Sequence, residues 1–315
     1  MAAGWTAAQI PDQTGRRAVV TGANGGLGIV VAEQLARAGA DVILACRDPD
    51  RGRAAAEAIT TRVPAALIEV RRLDLADLGS IREFAGRLSA EPAGLDLLIN
   101  NAGVMAPPRR LSADGFELQL ATNHLGHFAL TGLLLDPLLA APAGRVVTVS
   151  SVLHRIGRID FDDLQAAGDY RRWRAYGQSK LANLLFAFEL DRRAREAGAG
   201  LASLAAHPGF ANTNLQAASS GRLARVLFTP ANLLFAQSAA AGALPILCAA
   251  TADLPGGSYV GPDGPGERRG HPRLVAAAPA AHDPVSAERL WQVSEELTGV
   301  GLAFGGRSAA ASIDR

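Results

Sequence analysis

From Arg17 onward, short aliphatic or β-branched runs alternate with longer stretches whose apolar positions recur at helical spacing. The runs Arg17–Thr21 (RAVVT), Asp41–Ala45 (DVILA), Leu67–Val70 and Leu95–Ile99 (LDLLI) are too short for helices and read as strands. Between them, Leu27–Ala38, Pro49–Thr61 and Leu78–Leu88 are long enough to be crossovers between parallel strands. The alternation continues with a long helix over about Asp114–Leu139, a strand at Arg145–Val149 (RVVTV), a helix from about Trp173 to Ala197 and a strand at Leu201–Ala205. Leu181, Leu184, Leu185 and Phe188 give that second helix a core-facing stripe. The pattern predicts an α/β fold: a single domain over residues 15–300, with a doubly wound parallel sheet of six to seven strands and helices on both faces. Beyond residue 208 the periodicity fades. An irregular substrate cap is expected near 210–236, then a buried helix at Ser238–Ala252, a Gly- and Pro-rich stretch, and a last helix at Val285–Leu297. Residues 1–14 and 301–315 read as tails.

Composition narrows the function classes. Of 315 residues 49% are hydrophobic, enough for one large core, and 31 basic against 30 acidic side chains leave a net charge of +1. That balance supplies no general attraction for nucleic acid or an anionic bilayer. Two isolated cysteines, Cys46 and Cys248, suit a reducing compartment. No run approaches the roughly 20 apolar residues of a membrane span, and the first residues lack a basic region followed by an apolar one. A cytoplasmic protein is expected.

Directly after the first strand comes Thr21-Gly22-Ala23-Asn24-Gly25-Gly26-Leu27-Gly28, leading into a helix. Glycines there permit a tight turn and a close approach to phosphate oxygens, and the helix N-terminus faces the anion, so Gly22, Asn24, Gly26, Leu27 and Gly28 are expected to cradle a pyrophosphate. At the end of the second strand, where an NAD-binding unit carries an acid for the ribose hydroxyls, this chain has Cys46 and then Arg47. The guanidinium suits a 2′-phosphate, which points to NADP(H) over NAD(H). Asp48 argues the other way, since it can accept from a ribose hydroxyl or neutralise Arg47.

Tyr176 and Lys180 stand at i and i+4 on a predicted helix, hence on one face. A phenol with a reference pKa of about 10 becomes a useful acid or base when an adjacent cation stabilises its anion. Alone, such a pair is commonly an exposed helix pair. Its company is informative.

Thr21-Gly22-x-x-x-Gly26-x-Gly28, Asn100-Asn101-Ala102-Gly103, Asn123, Ser150-Ser151, Tyr176-x-x-x-Lys180 and Pro208-Gly209 occur in this order, and over about residues 15–299 the chain resembles the short-chain dehydrogenase/reductase family. It is most similar to the retinol dehydrogenase-like and protochlorophyllide reductase-like branch through Ala45-Cys46-Arg47-Asp48, Asn123-His124-Leu125-Gly126-His127-Phe128, Tyr176-Gly177-Gln178-Ser179-Lys180 and Ala287-Glu288-Arg289-Leu290-Trp291. The resemblance implies a Rossmann-type fold and an oxidoreductase moving a hydride between a nicotinamide and a carbonyl or alcohol of a fairly apolar small-molecule substrate. Tyr176 would exchange the proton, Lys180 would lower the pKa of Tyr176 and hold the nicotinamide ribose, and Ser151, with Ser150 as fallback, would polarise the substrate oxygen. Asn123 would hold a water linking Lys180 to solvent, or would be a buried side chain satisfying backbone groups. Asp74 resembles an adenine contact with Leu75 beside the ring, although helix capping is an equal reading of Asp74. Asn100, Ala102 and Gly103 would border the cofactor crevice, with Pro208, Gly209 and Thr213 near its nicotinamide and pyrophosphate. His154 and Phe210 are candidates for the substrate pocket.

Two other activities stay open: reduction of a carbon–carbon double bond, and a non-catalytic NADP(H) sensor, which would need none of the proton machinery. His124 and His127 have metal-compatible spacing without a third ligand, so no metal is expected. A homodimer through the helices beginning near Asp114 and Trp173 is favoured on base rates, unless the C-terminal third covers that face.

Overall fold

The computed structural model describes residues 4–210 and 238–304. Eight strands form one sheet in the order β3-β2-β1-β4-β5-β6-β7-β8. They are β1 Arg17–Thr21, β2 Asp41–Cys46, β3 Leu67–Arg72, β4 Leu97–Asn100, β5 Gly144–Val149, β6 Leu201–Ala206, β7 Tyr259–Pro262 and β8 Pro272–Leu274. Every pairing is parallel except that of β7 with β8. The reversal of strand order between β1 and β4 opens a crevice at their C-terminal ends, where ligands of such sheets bind.

Alternation decides the layers. In β1, Ala18 and Val20 join the apolar cluster on one face while Val19 joins the cluster on the other, and in β2 Val42 and Leu44 part from Ile43 and Ala45 in the same way. Helices α1 Gly26–Arg37, α2 Pro49–Arg62 and α8 Ala239–Thr251 cover the first face; α3 Leu78–Ser89, α5 Gly126–Leu133 and α7 Arg172–Glu196 cover the second. Both faces being covered is why the central strands read as unbroken apolar runs.

Four expectations need correction. The sheet has eight strands rather than six or seven, because the Gly- and Pro-rich stretch after residue 253 contains the β7–β8 hairpin. The single helix expected over Asp114–Leu139 is broken into α4 Leu118–Leu120, a π-helical turn Ala121–Leu125, α5, and α6 Leu135–Ala140. The stretch expected as an N-terminal tail is anchored, with Trp5 and Gln13 buried and the Trp5 carbonyl 3.3 Å from Nδ1 of His271. Leu302, in the stretch expected as a C-terminal tail, is buried too.

The last helix, α9 Pro284–Thr298, starts from an Asp283 cap and packs on α7 and α5. Its Trp291 meets Phe128 of α5 edge-on at 5.3 Å and lies 6.0 Å from Phe186 of α7. The C-terminal third thus covers the helical face on which a dimer was expected. No described helix is long and apolar enough to cross a membrane.

Candidate active site

Helices α2, α3, α8 and α9 open on Asp or Ser side chains that accept from first-turn amides, whereas α1 opens on Gly25 with no side-chain cap. Its leading amides are therefore available to an anion. Gly22 and Gly26 take φ of +67° and +58°. At Gly28 a Cβ would fall 2.5 Å from the Gly22 carbonyl and 2.7 Å from Nδ2 of Asn101, so this glycine serves close packing of α1 under the loop. Gly22, Asn24, Gly26 and Leu27 are half-buried at the crevice.

Arg47 is exposed at the end of β2, and among the described residues no acidic side chain pairs with it. The Asp48 carboxylate caps α2, its Oδ1 accepting from the amides of Asp50 and Arg51 at 3.0 and 3.1 Å. Asp74 forms a local turn by accepting from Ala76, while Asp77 is the cap of α3. Leu75 is buried, its carbonyl pressed against Gly126.

The chemical residues gather where β5 ends. Tyr176 and Lys180 sit one turn apart near the start of α7, with Nζ of Lys180 5.8 Å from the phenol ring centroid. Lys180 donates to the carbonyl of Val149, the last residue of β5, at 2.9 Å. The Ser151 side chain acts on the Tyr176 phenol, favouring its ionised form. Ser150 instead turns its hydroxyl to the Lys180 carbonyl at 2.7 Å, which leaves Ser151 as the serine at the phenol.

Burial dominates the electrostatics here. It pushes the Tyr176 phenol up to about 12, with the Ser151 hydroxyl opposing, and brings Lys180 down to about 8. Lys180, whose ammonium donates to Val149, is not among the groups that shift the phenol, so burial sets the direction.

Asn123 lies in the π-helical turn and is fully buried. Its Oδ1 accepts from the Val104 amide at 2.8 Å, and its Nδ2 donates to the Val104 carbonyl and to Ser179 at 3.0 and 2.9 Å. Ser179 in turn donates to the Tyr176 carbonyl. A Cβ on Gly103 would stand 3.0 Å from Oδ1 of Asn123 and 3.6 Å from Nζ of Lys180, so this position keeps clear space beside both. Ala102 and Gly103 are half-buried at the edge of the crevice.

Two expected site residues are interior. Asn100 is fully buried and donates to Thr131 and Thr148, tying β4 to α5 and β5. His154 is fully buried as well, with Nδ1 2.6 Å from the Ser151 carbonyl and Nε2 accepting from the Ala278 amide, so it anchors a loop. Phe210 is exposed. Thr213 and the rest of the expected cap lie outside the described residues.

Pro208 and Gly209 follow β6 and are half-buried. They belong to a cluster that the sequence does not announce. His207 is fully buried, accepts the Gly209 amide at Nδ1, and places Nε2 3.1 Å from Glu267, which also pairs with Arg155 at 2.9 Å. His207 and Arg155 hold the Glu267 carboxyl down at about 2. The cluster clasps the turn after β6 to the short helix that follows Ser151. Adjacency of His207 to Pro208-Gly209 was a usable signal; Glu267, about 60 residues later in an irregular stretch, offered none.

Residues 16–223 match the family model described as short chain dehydrogenase. The chain belongs to the short-chain dehydrogenase/reductase family. Within this family it falls in the retinol dehydrogenase-like branch: it is 44% identical to retinol dehydrogenase 12 of Homo sapiens over 297 residues, which span 94% of this chain and 89% of that protein. It is thus an oxidoreductase of the alcohol- and carbonyl-directed branch. A crystal structure of an uncharacterised protein from Mycobacterium paratuberculosis is 48% identical, with a TM-score of 0.81 over 95% of this chain and 99% of that one. A crystal structure described as an NAD(P)-dependent gluconate 5-dehydrogenase from Beutenbergia cavernae, with NADP bound at low occupancy, is 28% identical with a TM-score of 0.60 over 76% and 90% of the two chains.

Proposed function

We propose that this short-chain dehydrogenase/reductase reduces the carbonyl group of a fairly apolar aldehyde or ketone, with NADPH as the hydride source and Tyr176 as the proton donor. The observation that carries the reading is the convergence of Tyr176, Lys180, Ser151 and Asn123 beside the crevice. The crevice fits a dinucleotide: α1 is uncapped, Arg47 is unpaired among the described residues, and Asp48, the acid that argued for NAD(H), is committed to capping α2. Arg47 would hold the 2′-phosphate, the loop from Gly22 to Leu27 the pyrophosphate, and Ala102, Gly103, Pro208 and Gly209 would border the remainder. When bound, NADPH supplies a hydride from its nicotinamide.

The residues divide the remaining work. The Ser151 hydroxyl hydrogen-bonds the substrate oxygen as negative charge develops there. Tyr176, its phenol pushed up to about 12, is protonated at neutral pH and gives its proton to that oxygen. Lys180, protonated below about 8, stabilises the phenolate left behind, and Asn123 fixes the main chain through which a water would return the proton. A protonated resting phenol favours the reductive direction.

The test is oxidation of NADPH and NADH with a panel of apolar aldehydes, ketones and enones, beside Tyr176→Phe and with cofactor dissociation constants measured separately. Loss of turnover in Tyr176→Phe by about 10²–10⁴-fold, with NADPH binding retained, is expected. Turnover that survives in Tyr176→Phe, or that is confined to the enones, overturns the reading.

A further inference from the structure

His127 stands one turn after Asn123 and is buried to within 1% of its surface. Its two ring nitrogens face different parts of the site. Nδ1 is 3.0 Å from the Asn123 carbonyl, which can only accept, so the ring proton resides on Nδ1. Nε2 is then a lone pair, and the Thr21 hydroxyl 3.0 Å away donates into it. The Ile99 carbonyl competes for that hydroxyl proton at 3.2 Å, but taking it would leave Nε2 buried and unpaired. With its proton committed to the ring, the Thr21 oxygen accepts the amides of Asn101 and Ala102, both at 2.9 Å. Asn101 closes the circuit by donating its side-chain amide to the Thr21 carbonyl at 2.7 Å.

We propose that His127 is a positioning residue that sets the separation between the two halves of the active site. Through Nε2 it orients the Thr21 hydroxyl beneath the Asn101–Ala102 turn on the cofactor side, and through Nδ1 it holds the π-helical turn carrying Asn123 on the proton-transfer side. The imidazole is a rigid spacer between them. It is itself anchored, since Thr131 donates to the His127 carbonyl at 2.7 Å and Asn100 donates to Thr131. Burial, with the Lys180 charge nearby, brings its pKa down to about 4, so the neutral tautomer with one donor and one acceptor persists throughout the working pH range. The assignment of these two halves rests on the reading under Proposed function.

The two ends can be cut separately. Asparagine places an amide nitrogen near the Nδ1 position, and glutamine reaches the Nε2 position. His127→Asn retains the bond to the Asn123 carbonyl and releases Thr21; it is expected to raise the NADPH dissociation constant by about tenfold, the equivalent of about 1.4 kcal/mol, and to lower kcat less. His127→Gln retains Thr21 and releases the Asn123 carbonyl, and is expected to lower kcat by about tenfold while changing NADPH affinity less. Thr21→Val, which removes only the hydroxyl, should reproduce His127→Asn, and Thr21→Ser should restore affinity. If one histidine variant fails to fold, the other decides the matter: a change confined to its own readout supports the proposal, and a change in both readouts or in neither overturns it. Equal changes in kcat and affinity in both histidine variants, or no change in either, overturn the proposal. Wild-type turnover is measured alongside: its absence counts against the carbonyl reductase reading alone, because the NADPH affinity split still tests His127.

Discussion

Arg47 and Asp48 are adjacent opposite charges with separate tasks. Arg47→Ala is expected to raise KM for NADPH by about tenfold or more, as loss of a charge-assisted bond of about 1.5–3 kcal/mol requires, and to leave NADH nearly unaffected. Asp48→Ala should leave the NADPH-to-NADH preference alone and cost about 1 kcal/mol of stability through the lost cap, read as a lower Tm. Lys180 carries a prediction with two signs. Burial lowers its folded pKa from 10.5 to about 8, so folding disfavours the charged form, and the cost is fully present below about 8 and fades as pH rises toward 10.5. Lys180→Met should therefore raise Tm at pH 7 while removing turnover, and the wild-type reductive rate should fall as pH rises through about 8. Residue types at the site were legible because Tyr176, Lys180, Ser151 and Asn123 stand in ordered motifs. What escaped was direction: whether Asp48 faces a ribose or its own helix, and whether His154 faces a pocket or a loop, depends on neighbours 2 to 124 residues away.

At the scale of elements, the central strands and the helices packed on them were readable because each buries an apolar face, whereas the edge strand β3, with no fully buried residue, was readable from its short aliphatic run alone. The breaks were not. The π-helical turn at Ala121–Leu125 inserts one extra residue per turn without disturbing the apolar sequence around it, and the Leu118–Leu133 stretch still reads as one helix. The β7–β8 hairpin hides among glycines and prolines because β8 is a three-residue edge strand. Glu267, in the loop of that hairpin, adopts φ +56°, a left-handed conformation held in place by Arg155 and His207. Glu267→Gln should lower Tm at neutral pH and weaken NADPH binding through the Gly209 turn. Its folded pKa lies near 2 against an ordinary 4.5, so its contribution is present above about 4.5 and lost as pH falls toward 2. Acid unfolding curves of wild type and Glu267→Gln should converge there.

For the whole molecule, the decisive feature is that α7 is buried nearly all round from Ala175 to Asp191, with the sheet on one side and α9 on another. Among the described residues the enclosed part of this helix offers little surface to a second copy, and light scattering in solution is expected to give the monomer mass of 32.6 kDa. Trp291→Ala should cost about 3–5 kcal/mol by opening a cavity between Phe128 and Phe186. The same arrangement governs how the chain is made. About a hundred residues separate the end of α7 from the end of α9, so at ribosomal speeds the aromatic faces of α5 and α7 wait on the order of 5–20 s for their cover. During that interval they are sticky surfaces on an unfinished protein, and chains that terminate before α9 should be taken up by chaperones or aggregate rather than accumulate as soluble enzyme.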